Sequence, residues 1–280
     1  MIEVAESEKF DLVIEEARSS KNYWRDLWQY RELFFFLAWR DILVRYKQTV
    51  IGLAWSLLRP FLTMLVFTVI FGRIAKLPSG GVPYPILVYT AMLPWQFFAT
   101  SFTDASNSFI SNSNMLTKIY FPRIIIPTST VIVNLVDFLI SFAILIGLMF
   151  WYHFLAPWTI IALPLFFIQA LLISLGAGFY VAAINVKYRD FRYIVPFIVQ
   201  FGLYVSPVGF SSNVVPEKWR LLYSVNPMVG VIDGFRWAIT GDINQVNING
   251  YFLSLGVTIL LMVLGIWYFR KTERSFADII

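Results

Sequence analysis

A stripe of polar side chains runs through one strongly apolar stretch of the sequence, residues 124–151. Its members recur at helical spacings: Thr130, Asn134, Asp137 and Ser141. These spacings place all four side chains on one face of a helix. Polar groups there either face a substrate or ion path, or hydrogen-bond to a neighbouring helix, and the structural role is favoured. Asn134 and Asp137 are therefore candidate channel residues with a structural alternative.

A short helix is predicted within "NPMVGVIDGFRWAITG", residues 226–241. Asn226 can cap this helix, Pro227 suits its first position and Gly241 can end it. Residues 227–239 would then form a helix about 20 Å long, whereas the hydrocarbon core of a bilayer is about 30 Å thick. The helix is therefore too short to cross a membrane.

Two charged residues of this short helix, Asp233 and Arg236, lie three positions apart and are predicted to pair with each other. Pro216 can start another short helix before it, so residues 212–241 are predicted to form a re-entrant hairpin that enters the membrane partway and returns. The alternative is an amphipathic helix that lies flat on the outer surface.

Several kinds of chemistry are excluded by what the sequence lacks. It has no cysteine and a single histidine, His153, so thiol nucleophiles, disulfides and multi-histidine metal sites are excluded, and no metal site is expected. No phosphate-binding loop of the G-x-x-x-x-G-K-[ST] type is present, so ATP hydrolysis would need a partner chain. His153 and Asp137 do not form an obvious acid–base pair, which disfavours a membrane-embedded transferase.

Composition identifies an integral membrane protein, because 58% of the 280 residues are hydrophobic and only 14% are charged. The expected fold class is all-α, because the apolar stretches have the length of membrane-spanning helices. Soluble domains carry about 25% charged residues. Six apolar stretches are long enough to be predicted spans: 54–72, 84–103, 124–151, 158–184, 194–211 and 250–269. Together they define a six-span domain over residues 54–269.

The basic residues predict the orientation of these spans. With both termini in the cytoplasm, sixteen of the 22 Lys and Arg residues fall on the inner side and five on the outer side. Residues 1–21 would then be a cytoplasmic segment and residues 270–280 a cytoplasmic tail. This bias also accounts for much of the net charge of +5 without an anionic ligand.

Residues 22–49 are predicted to form an amphipathic helix in the plane of the inner interface. Apolar and aromatic residues recur there at nearly helical spacing: Trp24, Trp28, Phe35, Ala38, Ile42 and Tyr46. The apolar core "LFFFLAW" is too short to span, which favours an interfacial position. A helix packed on a soluble partner is the alternative.

A second cytoplasmic segment, residues 103–123, is rich in Ser and Asn. Asp104 and Ser106 are possible N-caps of a short helix parallel to the membrane, and a solvated loop is the alternative. The sequence favours neither strongly.

Aromatic residues make up 18% of the chain, and most are expected to face lipid or to form the interfacial belt. Some could instead form a stacking surface for sugar rings. The candidates lie in the first and fifth spans: Phe61, Phe67, Phe71, Phe201 and Tyr204. Taken one at a time, packing is the simpler role for each.

Two stretches resemble a known family. Residues 40–72, "RDILVRYKQTVIGLAWSLLRPFLTMLVFTVIFG", are similar to the start of the permease subunit of type-2 ABC exporters, and "NPMVGVIDGFRWAITG" is similar to its signature near the last span. The matching positions are Arg40, Asp41, Arg45, Tyr46, Lys47, Gly52, Trp55 and Pro60, then Asn226, Pro227, Phe235, Arg236 and Gly241. Within that family the chain looks like the permeases that export O-antigen, capsule or teichoic-acid polymers.

The resemblance implies a homodimer in the bacterial cytoplasmic membrane that carries two copies of a separate ATP-binding subunit. ATP and Mg would be held by that subunit, with no cofactor on this chain. The substrate would be a glycan linked to polyprenyl diphosphate, moved through a channel between the two copies. Membrane lipid is a further expected partner, and nucleic acid is not.

The resemblance also implies roles for individual residues. Residues 104–120 would contact the ATP-binding subunit, with candidates Asp104, Ser106, Phe109, Asn112 and Met115. The lipid diphosphate could be bound by Arg40, Arg45, Lys47 and Arg59, for which snorkelling at the headgroups is the alternative. The outer gate would be built by Asn226, Pro227, Asp233 and Arg236. Export of a lipid or small molecule by the same machinery is the alternative function.

Overall fold

The computed structural model describes residues 23–47, 50–112, 115, 121–188, 190–243, 246–273 and 276. The predicted N-terminal segment 1–21, much of the tail 270–280 and residues 116–120 of the predicted coupling segment lie outside these ranges. Over the described residues the protein is helical and contains no strand, which confirms the predicted all-α class.

Ten α-helices and three shorter elements make up the described structure. In chain order they are α1 (Tyr23–Gln29), α2 (Arg31–Lys47), α3 (Val50–Phe67) with a π-helical continuation (Thr68–Ile74), α4 (Tyr84–Ser111), α5 (Ile125–Trp151), a 3-10 helix (Trp158–Ala162), α6 (Leu163–Lys187), α7 (Phe191–Val205), a 3-10 turn (Ser212–Val214), α8 (Glu217–Tyr223), α9 (Pro227–Thr240) and α10 (Ile248–Glu273).

Three helical stretches of the described chain are long and apolar enough to cross a membrane: Ile125–Trp151, Trp158–Lys187 and Ile248–Glu273. Pro60–Ile74 and Phe191–Val205 are apolar but shorter. The fifth predicted span, 194–211, is helical only as far as Val205. The chain is thus a membrane protein with several apolar helices, and the count of six spans stays a prediction.

Helix α4 lies at the centre of the fold. Six consecutive residues near its start, 86–91, are buried, so this part of α4 is covered on every side. A helix that is buried all round must be surrounded by other helices, and α4 packs between α5 and α6. The core also contains α9, which packs against α4, α6 and α10.

Helix α4 runs without interruption to Ser111. Asp104 and Ser106 therefore lie inside this helix, and the prediction that they cap a separate short helix is wrong. The prediction underestimated the length of α4, because the Ser and Asn residues after residue 103 were interpreted as the start of a separate segment. Polar residues can continue a helix where they contact other helices or solvent.

The predicted amphipathic helix 22–49 appears as two helices, α1 and α2, separated at Tyr30. Leu37 and Ala38 are buried against the core, whereas Trp28 and Phe35 are exposed. The predicted single face was therefore wrong in detail, because Ala38 and Phe35 point in different directions. The exposed side is rich in large apolar residues: Trp28, Phe35, Phe36, Trp39, Leu43 and Val44.

Helix α9 begins at Pro227, as predicted, and ends one residue later than predicted. The Asn226 side chain accepts a hydrogen bond from the Met228 N–H at 3.1 Å, which is the expected N-cap. Gly241 ends the helix in the left-handed conformation, with φ of 75°. Both faces of α9 are buried, so the alternative of a helix lying flat on the outer surface is wrong.

Candidate functional site

Arg45, at the end of α2, joins three helices through its guanidinium group. One nitrogen, Nη1, donates to Asp137 Oδ2 on α5 at 2.7 Å, and the other, Nη2, donates to Asp104 Oδ2 on α4 at 3.1 Å. A guanidinium group presents several N–H donors in a planar fork, so one arginine can bind two carboxylates at once. Arg45 thereby fixes the end of α2 to both α4 and α5.

Asn134 and Tyr46 complete this polar cluster. The Asn134 side chain accepts from Arg45 Nη1 at 2.7 Å and donates to Asp104 Oδ2 at 3.0 Å. The Tyr46 hydroxyl donates to Asp137 Oδ1. Burial and this hydrogen bond to an acidic side chain raise the pKa of Tyr46, so its hydroxyl keeps its proton. We call Arg45, Tyr46, Asp104, Asn134 and Asp137 the α2 cluster.

The α2 cluster brings together residues that the sequence had assigned to different roles. Asn134 and Asp137 were channel candidates, Asp104 was a coupling candidate and Arg45 was a diphosphate candidate. The hydrogen bonds of Asn134 and Asp137 run between helices, as the structural interpretation of the polar stripe expects. Thr130, in contrast, donates to the Pro127 carbonyl of its own helix.

The electrostatics of the α2 cluster bear on diphosphate binding. Two carboxylates face one guanidinium group, and the side chains of Arg45, Asp104 and Asp137 are 38%, 35% and 24% exposed. A diphosphate could reach Arg45 only by displacing carboxylates that already bind it. Lys47 is exposed at the end of α2. The proposed diphosphate role of these two residues stays a prediction.

Arg40, in the middle of α2, makes polar contacts of its own. Its guanidinium group contacts Asp41 at 2.7 Å and donates to Asn112 Oδ1 at 3.2 Å. Asn112 in turn caps the end of α4 by donating to the Ser108 carbonyl at 2.9 Å. Arg59 lies in α3, and its side chain is outside the described part of the structure.

The remaining coupling candidates divide between core and edge. Ser106 and Phe109 are buried, at 1% and 2% exposure, and Met115 packs partly against the core. A buried side chain cannot contact a partner subunit directly. Among these residues, only those with exposed surface could therefore contact the ATP-binding subunit. The coupling role itself stays a prediction.

Arg236, on α9, binds backbone carbonyl groups instead of its predicted partner. Its guanidinium group donates to the Phe210 carbonyl at 2.7 Å and to the Val208 carbonyl at 3.0 Å. Asp233 is buried beside it, and its charge interacts with that of Arg236, but no salt bridge joins the two side chains in the described part of the chain. The predicted direct ion pair therefore does not form.

The physical reason is the irregular backbone between α7 and α8. Residues 206–209 are buried but not helical, so their carbonyl groups need donors from elsewhere. Arg236 supplies two of these donors, and the Tyr84 hydroxyl donates to the Gly209 carbonyl at 2.8 Å. The signal in the sequence was Pro207 and Gly209, which both interrupt helices.

The aromatic candidates fall into two groups. Phe67 and Phe71 are half-buried and pack edge to face, with ring centroids 5.4 Å apart. Phe71 also lies against Gly209, where an added Cβ would meet its ring at 2.5 Å. In the structure described, packing therefore accounts for Phe67 and Phe71. The third first-span candidate, Phe61, is more exposed, at 37%.

Helix α7 presents an exposed aromatic face. Phe201 and Tyr204 were predicted, and the structure adds Tyr193 and Phe197, which were not among the stacking candidates although the four rings recur at spacings of three and four. All four are exposed, by 59% to 77%, and Phe197 stacks on Phe201 with centroids 6.1 Å apart. We call these four residues the α7 aromatic face.

The described structure combines apolar helices, a charged end of α2 that is bonded to two other helices, and a buried short helix, α9. Residues 32–240 match the family model described as ABC-2 type transporter, and the chain belongs to that family. The resemblance seen in the sequence is thereby confirmed.

Curated relatives extend over most of the chain. The O-antigen export system permease protein RfbA of Myxococcus xanthus is 28% identical over 257 residues, covering 91% of this chain and 97% of the relative. The polysialic acid transport protein KpsM of Escherichia coli is 20% identical over 84% of this chain and 92% of the relative. The inner membrane transport permease YadH of Escherichia coli K12 is 25% identical over 79% and 89%.

Proposed function

We propose that the chain is the membrane-spanning subunit of an ATP-driven exporter that moves a lipid-linked polysaccharide across the bacterial cytoplasmic membrane. Two copies would form the channel, and two copies of a separate ATP-binding subunit, with ATP and Mg, would supply the energy. Both termini would lie in the cytoplasm, as the distribution of basic residues predicts.

The α7 aromatic face is the observation that carries the choice of substrate. Four exposed rings follow one side of α7, a 15-residue helix that includes residues 194–205 of the predicted fifth span. Aromatic faces pair well with the flat apolar faces of ligands such as sugar rings. Relatives over most of the chain, named for O-antigen export and polysialic acid transport, support the same class of substrate.

The α2 cluster supports the proposed mechanism. Closure of the ATP-binding subunits would push on α2 and on residues 104–120, and Arg45 connects α2 directly to α4 and α5. We expect this push to separate the first and fifth spans of the two copies and to open a continuous hydrated path. The predicted hairpin 212–241, of which α9 is buried and α8 is largely exposed, would close the outer end.

The proposed function is tested by co-expression with a candidate ATP-binding subunit. The expected result is a stable complex whose ATP hydrolysis, measured in lipid vesicles, rises when the lipid-linked glycan is added. Hydrolysis by the complex with no response to any glycan would contradict the substrate. A chain that purified alone and transported without ATP would overturn the whole proposal.

A second candidate function is export of a lipid or small molecule by the same machinery. The similarity to YadH favours it, because that name specifies transport without a polysaccharide. The two candidates differ in which added compound raises ATP hydrolysis by the complex. Glycosyltransferase genes beside the gene for this chain would favour the polysaccharide.

A further inference from the structure

The cytoplasmic end of α10 is held by Arg123, which precedes α5. The backbone N–H of Arg123 donates to Glu273 Oε1 at 2.8 Å, and its guanidinium group donates to the Glu273 carbonyl at 2.9 Å. The last carbonyl groups of a helix have no partner within the helix, so this bond satisfies one of them. Glu273 and Arg123 together form what we call the inner tie.

Aromatic packing strengthens the inner tie. Phe109, near the end of α4, lies 5.7 Å from the Phe269 ring of α10 and 5.1 Å from the Phe276 ring, measured between centroids. The Arg123 guanidinium group lies 5.7 Å from the Phe276 centroid. The end of α10 is therefore held by both sides of the predicted coupling segment.

The predicted coupling segment makes one such contact itself, and a second lies just after its end. Asn112, in the middle of the segment, binds Arg40 of α2, and Arg123, which follows the segment, binds Glu273 of α10. A displacement of the segment would therefore act on two different elements. One is the helix at the inner interface, and the other is the last helix of the chain.

The outer part of α10 is held by Ser254, which is fully buried. Its hydroxyl donates to the Ser224 carbonyl at the end of α8 at 3.1 Å, and it accepts from the Gly230 N–H of α9 at 3.2 Å. An added Cβ at Gly230 would lie 2.7 Å from Ser254, so the two backbones approach closely. Ser254, Ser224 and Gly230 form what we call the outer tie.

Between the ties, α10 is a single unbroken helix of 26 residues with no proline. At 1.5 Å per residue it is about 39 Å long, and sharp kinks arise mainly at proline or where the hydrogen-bond ladder is interrupted. Its backbone touches α6 where Gly265 meets Gly176, between the two ties. A stiff helix fixed at both ends transmits displacement from one end to the other.

We propose that α10 carries conformational change from the coupling segment to the outer hairpin, with Glu273 and Ser254 as the positioning residues at its two ties. This inference rests on the proposed function, because it concerns how ATP-driven motion reaches the outer side. In the proposed function, only the first and fifth spans move to open the channel, and this inference adds the last helix to that motion.

The experiment follows the outer hairpin with a single introduced cysteine. The chain has no cysteine of its own, so Leu222→Cys, at a 62% exposed position of α8, gives one labelling site. The full complex with its ATP-binding subunit is placed in vesicles and labelled with an impermeant maleimide, without nucleotide and after trapping with ATP and vanadate. We expect the two labelling rates to differ by about fivefold or more.

Glu273→Ala removes the carboxylate that accepts from the Arg123 N–H and from Tyr23, but it keeps the backbone carbonyl that binds the Arg123 guanidinium group, so it weakens the inner tie. Ser254→Ala removes both hydrogen bonds of the outer tie. Each variant is expected to reduce that difference to less than about twofold while ATP hydrolysis continues. Glu273→Gln keeps an oxygen that accepts from the Arg123 N–H, so it should restore the difference. Matched controls are Glu32→Gln, an exposed acid of α2, and Ser174→Ala, a buried serine whose hydroxyl bonds within α6. Both controls should behave like the parent protein.

The outcomes separate the inference from the proposed function. A parent complex that hydrolyses no ATP, or whose hairpin labelling ignores nucleotide, would contradict the proposed function. If labelling of the parent complex depends on nucleotide, and labelling of Glu273→Ala and Ser254→Ala depends on nucleotide to the same extent, the proposed role of α10 is wrong. If Glu273→Ala fails to fold, as judged by size-exclusion chromatography, Ser254→Ala with its Ser174→Ala control decides the question alone.

Discussion

Two arginine side chains stabilise different parts of this protein through the same guanidinium group. Arg45 binds two carboxylates and connects three helices, whereas Arg236 binds carbonyl groups of an irregular backbone segment. In each case one planar guanidinium group satisfies several acceptors, which are partly exposed carboxylates for Arg45 and buried or half-buried carbonyl groups for Arg236. The two arginines therefore differ in what their loss leaves unpaired.

Replacing Arg45 by alanine leaves two partly buried carboxylates without their shared cation. We expect Arg45→Ala to lower the free energy of unfolding by about 2 kcal/mol, since hydrogen bonds to charged groups are worth more than neutral ones but exposure weakens them. Denaturant unfolding in detergent micelles measures this. Arg25→Ala, at an exposed position of α1, is the control. Equal effects of the two substitutions would contradict a stabilising α2 cluster.

Replacing Arg236 by methionine leaves the Val208 and Phe210 carbonyl groups buried without donors. We expect Arg236→Met to lower the free energy of unfolding by about 3 kcal/mol, because each unsatisfied buried group costs about 1–3 kcal/mol. Thermal unfolding and the yield of monodisperse protein report the effect. Tyr84→Phe removes only the donor to Gly209 and should cost less. An Arg236→Met protein as stable as Lys218→Met, an exposed control, would contradict this role.

At the scale of elements, the contact between α6 and α10 depends on two glycines. An added Cβ at Gly176 would lie 2.7 Å from the Met262 nitrogen, and one at Gly265 would overlap the Gly176 carbonyl group. Small residues let helix backbones approach closely inside a membrane, where packing replaces the hydrophobic effect as the main driving force. The two helices are therefore closer than any side chain at these positions would allow.

Gly265→Ala is expected to destabilise the protein by about 2 kcal/mol or more, because the two helices must separate to accept the methyl group. Gly256→Ala on the same helix is the matched control, since an added Cβ there meets no atom within 4 Å. Alanine is a better helix former than glycine by about 1 kcal/mol, so the control should be neutral or stabilising. Thermal unfolding of both variants checks the prediction, and equal melting temperatures would refute it.

At the scale of the whole molecule, the chain leaves large apolar surfaces uncovered. The α7 aromatic face and the exposed side of α1 and α2 are the most aromatic of them, and the second carries Trp28, Phe35, Phe36 and Trp39. Exposed apolar patches of this kind mark contact with lipid, with another protein or with a ligand. Their amphipathic character suits α1 and α2 to the lipid interface. Under the proposed function, α7 would line the channel between two copies.

Phe197→Ala combined with Phe201→Ala is expected to reduce glycan-stimulated ATP hydrolysis about tenfold, since each aromatic contact is worth about 0.5–1.5 kcal/mol. Hydrolysis without glycan should be unchanged. Trp267→Ala, which removes an aromatic ring with 57% exposure from α10, is the control for general loss of exposed rings. If this control lowers the stimulation as strongly as the double variant, α7 has no special part in contacting the glycan.

Local features of the sequence determined local structure well. The Asn226 cap, Pro227 and Gly241 defined α9 to within one residue, because capping depends on a few neighbouring backbone groups. The spacing of Asn134 and Asp137 placed both on one face of α5, because helical periodicity is a local property. Low charge and long apolar stretches identified the membrane protein, and two motif-bearing stretches identified the family.

Only the tertiary structure decided which charges meet. Arg45 binds residues 59 and 92 positions away, and Arg236 binds carbonyl groups 26 and 28 positions away instead of Asp233 three positions away. Sequence spacing reveals neighbours on one helix but not which helices pack together. Inside a buried fold, an arginine is bound by whichever acceptors lack another donor, and those acceptors exist only once the chain has folded.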